Sequence, residues 1–303
     1  MFRQVTLIGL GLIGSSLAHA IKRKNLAERI VGYDASESVR KRAAEIELAA
    51  IVATPGEAVK NADLVILCSP VGSYKELAGA MAPYLRPGAI LSDVGSVKGA
   101  VVRDVAPFVP ESVHFLPAHP IAGTEQSGPD AGFSSLFDHR WCIITPLPGA
   151  DSVALEKLKA FWEGCGSQVE VMDPAHHDLV LAMTSHVPHL IAYNIVGTAH
   201  DLEKVTEGEV IKFSAGGFRD FTRIAASDPI MWRDVFLNNR EAVLEVLGRF
   251  NEDLSQLQRA VRDGNGQALF DLFTRTRAIR RSIVDVGQDS AAPNFGRDDQ
   301  KPQ

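Results

Sequence analysis

The 303-residue sequence predicts an α/β protein, with a doubly wound parallel sheet in its first half and an all-α domain in its second. Three observations predict it. Apolar runs without period-two alternation recur through the first half, separated by segments of helical spacing, as in strands buried on both faces. A G-x-G-x-x-G triplet, Gly9, Gly11 and Gly14, stands between the first strand and the first helix. Between Pro146 and Ser152 the pattern changes, and beyond one helix and one short strand nearly everything reads as helix.

In order, QVTLIGL (4–10) is a strand, GSSLAHAIKRKN (14–25) a helix and RIVGYD (29–34) a second strand. The helix SESVRKRAAEIE (36–47) opens with a serine able to cap it. ADLVILCSP (62–70) is a fully apolar strand, YKELAGAMAPYL (74–85) a helix and GAILSDVGS (88–96) another strand. VHFLPAHP (113–120) and RWCIITPL (140–147) complete the sheet. A Rossmann-type domain is therefore expected over 1–148 and a helical domain over 149–287, with a polar, disordered tail over 288–303. In the second domain, Asp173 and Pro174 supply an N-cap and first-turn proline for a long helix running to about Ala199. That helix is apolar on most sides, as expected of a bundle core or a subunit interface. Two amphipathic helices follow, over 230–261 and 266–287.

The bulk properties narrow the function. The chain is 46% apolar and 22% charged, with a formal net charge of −6 and interspersed signs. No nucleic-acid or membrane partner is expected, although a local basic pocket for an acidic small molecule is compatible with this charge. No leader is read at the N-terminus, and no apolar stretch looks long enough to span a bilayer. Cys68, Cys142 and Cys165 have no metal-ligand spacing and are expected as free thiols in a cytoplasmic protein.

The glycine spacing has a physical reason. Gly9 permits the tight turn, Gly11 lets the backbone approach a pyrophosphate, and Gly14 allows helix and strand to pack closely. The helix terminus at Leu12 and Ile13 then offers unpaired N–H groups to the phosphates. Asp34 lies twenty positions beyond Gly14 at the end of the second strand. A carboxylate there accepts from both ribose hydroxyls of NAD and repels a 2′-phosphate, so NAD rather than NADP is expected. Arg40, Lys41 and Arg42 read as a solvated helix face, and Ser69 and Pro70 close a strand where folds of this type pass the cofactor.

Three further stretches hold polar residues that the framework does not need: SDVGSVKG (92–99), HPIAGTEQSG (119–128) and a region from Ser185 to Asp234. The first two follow strands at their carboxyl ends, where ligands bind in open parallel sheets. Taken with the glycines and Asp34, the motifs GSVK, HPIAGTE, TSHVPH and FRDFTRIAASDPIMWRD resemble those of the prephenate/arogenate dehydrogenase family of tyrosine biosynthesis. The resemblance runs from about residue 4 to 285 with the motifs in family order; HPIAGTE and DFTRIAASDPIMW are its specific parts.

The resemblance implies oxidation of a cyclohexadienol at C4 with loss of CO₂ from C1. A neutral imidazole suits the C4 hydroxyl, and His119 matches the catalytic histidine of the family. Ser96 matches the serine that hydrogen-bonds that imidazole. Arg223 matches the arginine that binds the ring carboxylate, a task suited to a planar bidentate donor. His186 and His189 share one helix face, and His189 aligns with the substrate-contacting histidine. Pro188 between them should kink the helix. Glu125, Arg219 and Asp220 match residues at the pocket mouth, able to form an ion-pair cluster, and Trp232 resembles a pocket wall. No metal site is expected, and a homodimer through the helical domain is implied. Lys98 could face the cofactor or cap a helix. A 3-hydroxyacid dehydrogenase of similar build is the competing enzyme reading, weakened because no lysine lies between His176 and Asp201. A non-catalytic NAD-binding sensor would have no use for His119, Ser96 and Arg223 together.

Overall fold

The computed structural model describes residues 2–124, 126–203 and 216–285. Six parallel strands form the main sheet: β1 (Phe2–Ile8), β2 (Ala27–Tyr33), β3 (Ala50–Ile51), β4 (Leu64–Leu67), β5 (Ile90–Asp93) and β6 (His114–Phe115), in the order β3-β2-β1-β4-β5-β6. Between them run α1 (Leu12–Lys24), α2 (Glu37–Glu45), α3 (Pro55–Val59), α4 (Tyr74–Met81) and α5 (Lys98–Val105). Successive strand residues feed opposite cores. Leu7, Leu64 and Ile66 pack with Leu17, Ile21 and Trp162 on one face. Ile8, Val65 and Leu67 pack with Tyr74, Met81 and Val101 on the other. This two-sided burial is why the strands show no polar alternation. The sequence reading misses β3, α3 and α5, which are too short to complete a periodic pattern.

A second sheet joins β7 (Ala118–Pro120), β8 (Trp141–Ile144) and β9 (Gln168–Val171), with β7 antiparallel and β9 parallel to β8. The segment 113–120, read as one strand, is therefore two. Its break falls at Leu116 and Pro117, where proline cannot donate to a ladder and its carbonyl accepts from Thr145 N at 2.8 Å. The break hands His119 to a new sheet, opposite Ile143.

Helix α6 (Ser152–Cys165) starts at Asp151, whose Oδ1 accepts from Ala154 N at 2.7 Å, and stops at Gly166 with φ +107°. It lies on α1, and Phe161, Trp162 and Cys165 join the first core. So α6 and β9, expected with the helical domain, complete the nucleotide-binding layers instead. The chain divides into compact units at Val246 and Leu247, well after the 148/149 boundary that the change of pattern predicts.

The helical part of the first unit contains α7 (Pro174–Leu181), a wide π turn (Ala182–His186), α8 (Val187–Glu203), α9 (Gly216–Thr222), a 3₁₀ turn (Arg223–Ala226) and α10 (Pro229–Asn238). Helix α11 (Arg240–Arg262) crosses the boundary, and α12 (Gly266–Asp285) follows. The expected disturbance around Pro188 takes the form of the π turn just before it. The helix expected over 230–261 is interrupted at Asn239 (φ −105°, ψ 33°). The Asn239 side chain is buried and donates to the Asp178 carbonyl at 2.8 Å.

Residues 174–202 are long and apolar enough to cross a membrane, contrary to the sequence expectation that no stretch is. Yet this run carries His177, Asp178 and His186, all buried and hydrogen-bonded inside the protein. Those contacts are those of a folded-domain helix. Its apolar surface is only partly covered: Met183, Ile195, Val196 and Leu202 remain exposed. In the second unit, Leu254, Val261, Phe270, Phe273 and Ile279 are exposed along α11 and α12. The tail from Gln288 lies outside the described residues.

Candidate active site

The turn from β1 into α1 builds the first half of the site. Gly9 has φ +104°, which side-chain-bearing residues rarely adopt, and a Cβ there would strike Ser69 N and the Cys68 backbone. A Cβ on Gly14 would run into the Gly9 carbonyl, so strand and helix touch there through bare backbone. Gly11, the N-cap of α1, has open space where its Cβ would stand. No side chain caps α1, so N–H groups of the first turn, at Leu12 and Ile13, remain for a ligand. Open space before uncapped donors fits a pyrophosphate.

Asp34 follows β2. Its Oδ2 accepts from Leu10 N and its Oδ1 from Ser36 N, both at 2.9 Å, which fixes the carboxylate beside the glycine turn with acceptor capacity to spare. Arg40 is not on a solvated face. It turns back to donate to the Asp34 and Ala35 carbonyls at 2.6 and 3.0 Å, over the Tyr33 ring. Arg42 pairs at the surface with Asp130 and Glu45, while Lys41 is exposed. Ser69 Oγ shares a hydrogen bond with Ser73 Oγ at 2.8 Å, and Pro70 is exposed at the start of the next turn.

The second half centres on β7. His119 is only 8% exposed. Its Nδ1 lies 2.9 Å from His177 Nε2, and His177 Nδ1 lies 2.8 Å from Asp178 Oδ1. Asp178 also receives Lys98 N on Oδ1 at 2.7 Å and Gly99 N on Oδ2 at 2.8 Å, capping α5 from α7. Beneath β7, Lys98 is completely buried: Nζ pairs with Asp93 Oδ2 at 2.5 Å and donates to the Ala118 carbonyl at 2.6 Å. Asp93 in turn accepts from Gly95 N and Ala118 N. Burial moves the Asp93 carboxyl up and the Lys98 ammonium down, each opposed by the other's charge. The pair's role in the geometry is to fasten the backbone just before His119.

Burial, reinforced by His177, Lys98 and His186, drives the His119 pKa well below the usual histidine value. The ring is neutral in ordinary buffers. His177 is also shifted down by burial, against the pull of Asp178.

Ser96 does not hold His119. It is half-buried after β5 and makes no hydrogen bond to the imidazole, whose Nδ1 is taken by His177. In this structure the partner of the Nδ1 comes from α7 and not from Ser96, the residue the family resemblance implies.

On the helical side, His189 stacks on Trp232 with ring centroids 3.7 Å apart and planes at 24°. His189 Nδ1 donates to the Ser185 carbonyl at 2.8 Å, leaving Nε2 unprotonated in the neutral ring. Burial lowers the His189 pKa, and the nearby Arg223 charge lowers it further. Arg223 is exposed at the start of its 3₁₀ turn. His186 is wholly buried, with Nδ1 3.0 Å from Asn239 Nδ2. Its Nε2 and the Trp232 Nε1 have no hydrogen-bond partner among the described residues, and burial lowers the His186 pKa to about 4. Arg219 and Asp220 are exposed and form no ion pair among the described residues, and Glu125 lies outside them.

The structure therefore links His119 to His186 electrostatically, packs His186 and His189 on Trp232, and brings the Arg223 charge to His189. Sequence reasoning misses Asp93, His177, Asp178 and Asn239. Asp93 stands inside a stretch already singled out as surplus polarity. His177 and Asp178 belong to none of the stretches singled out, and nothing local marks them as buried.

A family model described as "Prephenate dehydrogenase, nucleotide-binding domain" matches residues 17–171, and one described as "Prephenate dehydrogenase, dimerization domain" matches 173–275. The cyclohexadienyl dehydrogenase of Zymomonas mobilis is 41% identical, covering 93% of this chain and 97% of that protein. The prephenate dehydrogenase of Bacillus subtilis is 33% identical over 96% of this chain and 78% of its own length. Among solved structures, prephenate dehydrogenase from Aquifex aeolicus, in complex with hydroxyphenyl propionate and NAD⁺, superposes with a TM-score of 0.87 at 33% identity, covering 93% of this chain and 99% of that one. With an uncapped glycine turn, a buried neutral histidine at the sheet edge, and matches spanning both halves, the chain belongs to the prephenate dehydrogenase family.

Proposed function

We propose that the protein catalyses the NAD⁺-dependent oxidative decarboxylation of prephenate to 4-hydroxyphenylpyruvate, and accepts arogenate, giving tyrosine, as a second substrate. The observation that carries this reading is His119: buried, neutral, and tied through Nδ1 on the edge strand of the second sheet. When bound, NAD⁺ accepts the hydride from C4. The first turn of α1 would hold its pyrophosphate and Asp34 its ribose hydroxyls, with Ser69 and Pro70 bordering the same cleft. His119 Nε2 takes the C4 hydroxyl proton as the hydride leaves, and returns it to the phenolate oxygen once CO₂ has left C1 and the ring is aromatic. Arg223 clamps the ring carboxylate through paired N–H donors. His189 and Trp232 form a flat wall for the ring and side chain, with His186 behind them.

The low His119 pKa serves this role directly, because an imidazolium could not accept the proton. The exposed apolar face of α8 and the description of the C-terminal family model support a homodimer through the helical region. Three free thiols support a reducing, cytoplasmic setting.

Mixing protein, NAD⁺ and prephenate should produce NADH absorbance with one CO₂ released per NADH. Absence of NADH with both prephenate and arogenate would favour a dinucleotide sensor. Asp34→Ala should cost roughly 10- to 100-fold in NAD⁺ affinity, the scale of lost charge-assisted hydrogen bonds, and narrow the preference over NADP⁺. Comparing kcat/KM for the two cofactors checks it, and an unaltered ratio would remove the ribose contact.

A further inference from the structure

We propose that His177 and Asp178 are positioning residues that set the tautomer of His119, so that its Nδ1 carries the proton and its Nε2 faces the substrate bare. The inference rests on the reading of His119 as the base, and it follows from donor and acceptor accounting along one chain of contacts. Both oxygens of Asp178 already accept backbone N–H groups, from Lys98 and Gly99. A ring nitrogen 2.8 Å from Oδ1 must therefore donate, which puts the proton of neutral His177 on Nδ1. His177 Nε2 is then a lone pair. The contact of 2.9 Å between that nitrogen and His119 Nδ1 needs a proton, and only His119 can supply it. Since His119 is neutral, its other nitrogen is unprotonated.

The order of groups, carboxylate to imidazole to imidazole, transmits the orientation of a backbone-anchored carboxylate to the reacting ring. His177 is completely buried and Asp178 nearly so, which keeps water from offering either ring a competing partner. The Asp178 anchor also explains an otherwise idle feature. One carboxylate joins the N-terminus of α5, the element after the SDVGS loop, to α7 in the helical part. Asn239, placed by the break between α10 and α11, holds the Asp178 carbonyl from the opposite side. The relay is thus fixed from three elements, and the ring it orders lies on a fourth.

The test reads the tautomer directly. Side-chain ¹⁵N spectra of histidine-labelled protein without ligands should show His119 with a pyrrole-type Nδ1 and a pyridine-type Nε2. A pyridine-type Nδ1 in the parent protein overturns the inference, whatever the activity. Two variants then separate relay from packing. His177→Leu removes the acceptor, so His119 should lose its single tautomer and kcat should fall on the order of 100-fold with KM for prephenate little changed, as for a displaced catalytic group. His177→Gln restores a carbonyl acceptor and should recover most of the tautomer signal and most of the rate. Equal loss in both variants, or a His119 signal unmoved by His177→Leu, counts against the relay. If the parent spectra and the Leu/Gln contrast in tautomer hold while no NADH forms from prephenate, the tautomer lock stands and the substrate reading falls.

Discussion

Replacing His119 with asparagine should lower kcat by roughly 10²–10⁴-fold, the usual contribution of a positioned general base, while NAD⁺ binds nearly as before. The asymmetry follows from the layout. His119 belongs to β7 and is tied to α7 through His177, whereas the dinucleotide determinants are the first turn of α1 and Asp34. Single-turnover hydride transfer together with NAD⁺ titration checks it, and parental turnover would take His119 out of the mechanism. The pH profile of the parent enzyme carries the same signature. The groups that act on the imidazole are His177, Lys98 and His186, and each lowers its pKa in the direction that burial already sets. The neutral ring is the working form, so activity is retained below the usual histidine pKa and lost only as pH falls through the depressed value. An acid limb at or above the ordinary value would mean that His119 is solvated or is not the base.

Arg223→Ala should raise KM for prephenate by roughly 10- to 100-fold, the scale of one lost charge-assisted contact. The substrate is a dianion, and Arg223 is the cation whose charge is felt at His189 beside the Trp232 wall. Because the carboxylate is bound both before and during reaction, the loss falls on KM more than on kcat. Arg223→Lys should recover only part of the affinity, since an ammonium cannot present two parallel N–H donors. Steady-state kinetics of both variants decide it, and an unchanged KM in the alanine variant would exclude the assignment.

How far the sequence carries depends on whether the controlling contacts are local. The glycine turn, Asp34 and the apolar strands are legible because each obeys a rule written within a few residues. The helix start at Asp173 is legible for the same reason: cap and first turn are neighbours. The break at Asn239 is not, because it is stabilised by groups more than fifty positions away on α7 and the π turn. The partner of His119 is missed likewise. Ser96 is the partner the family resemblance implies, but the contact that forms reaches across 58 positions to a histidine that no motif singles out. Lys98 is ambiguous in sequence because its environment, a buried carboxylate and a strand carbonyl, is assembled only when β5, α5 and β7 meet. Arg40 is misread because a helix-face pattern says nothing about a side chain folding back over the preceding strand.

The central physical claim is that an unprotonated ring nitrogen on β7 and a guanidinium from the turn after α9 address the same small molecule. A crystal structure of this protein with NAD⁺ and 4-hydroxybenzoate, which carries its carboxylate on the ring carbon opposite the hydroxyl as prephenate does at C1, tests it most directly. The account predicts His119 Nε2 within hydrogen-bond distance of the phenolic oxygen and Arg223 paired with the carboxylate. Finding the ligand bound with neither side chain touching it would contradict the account.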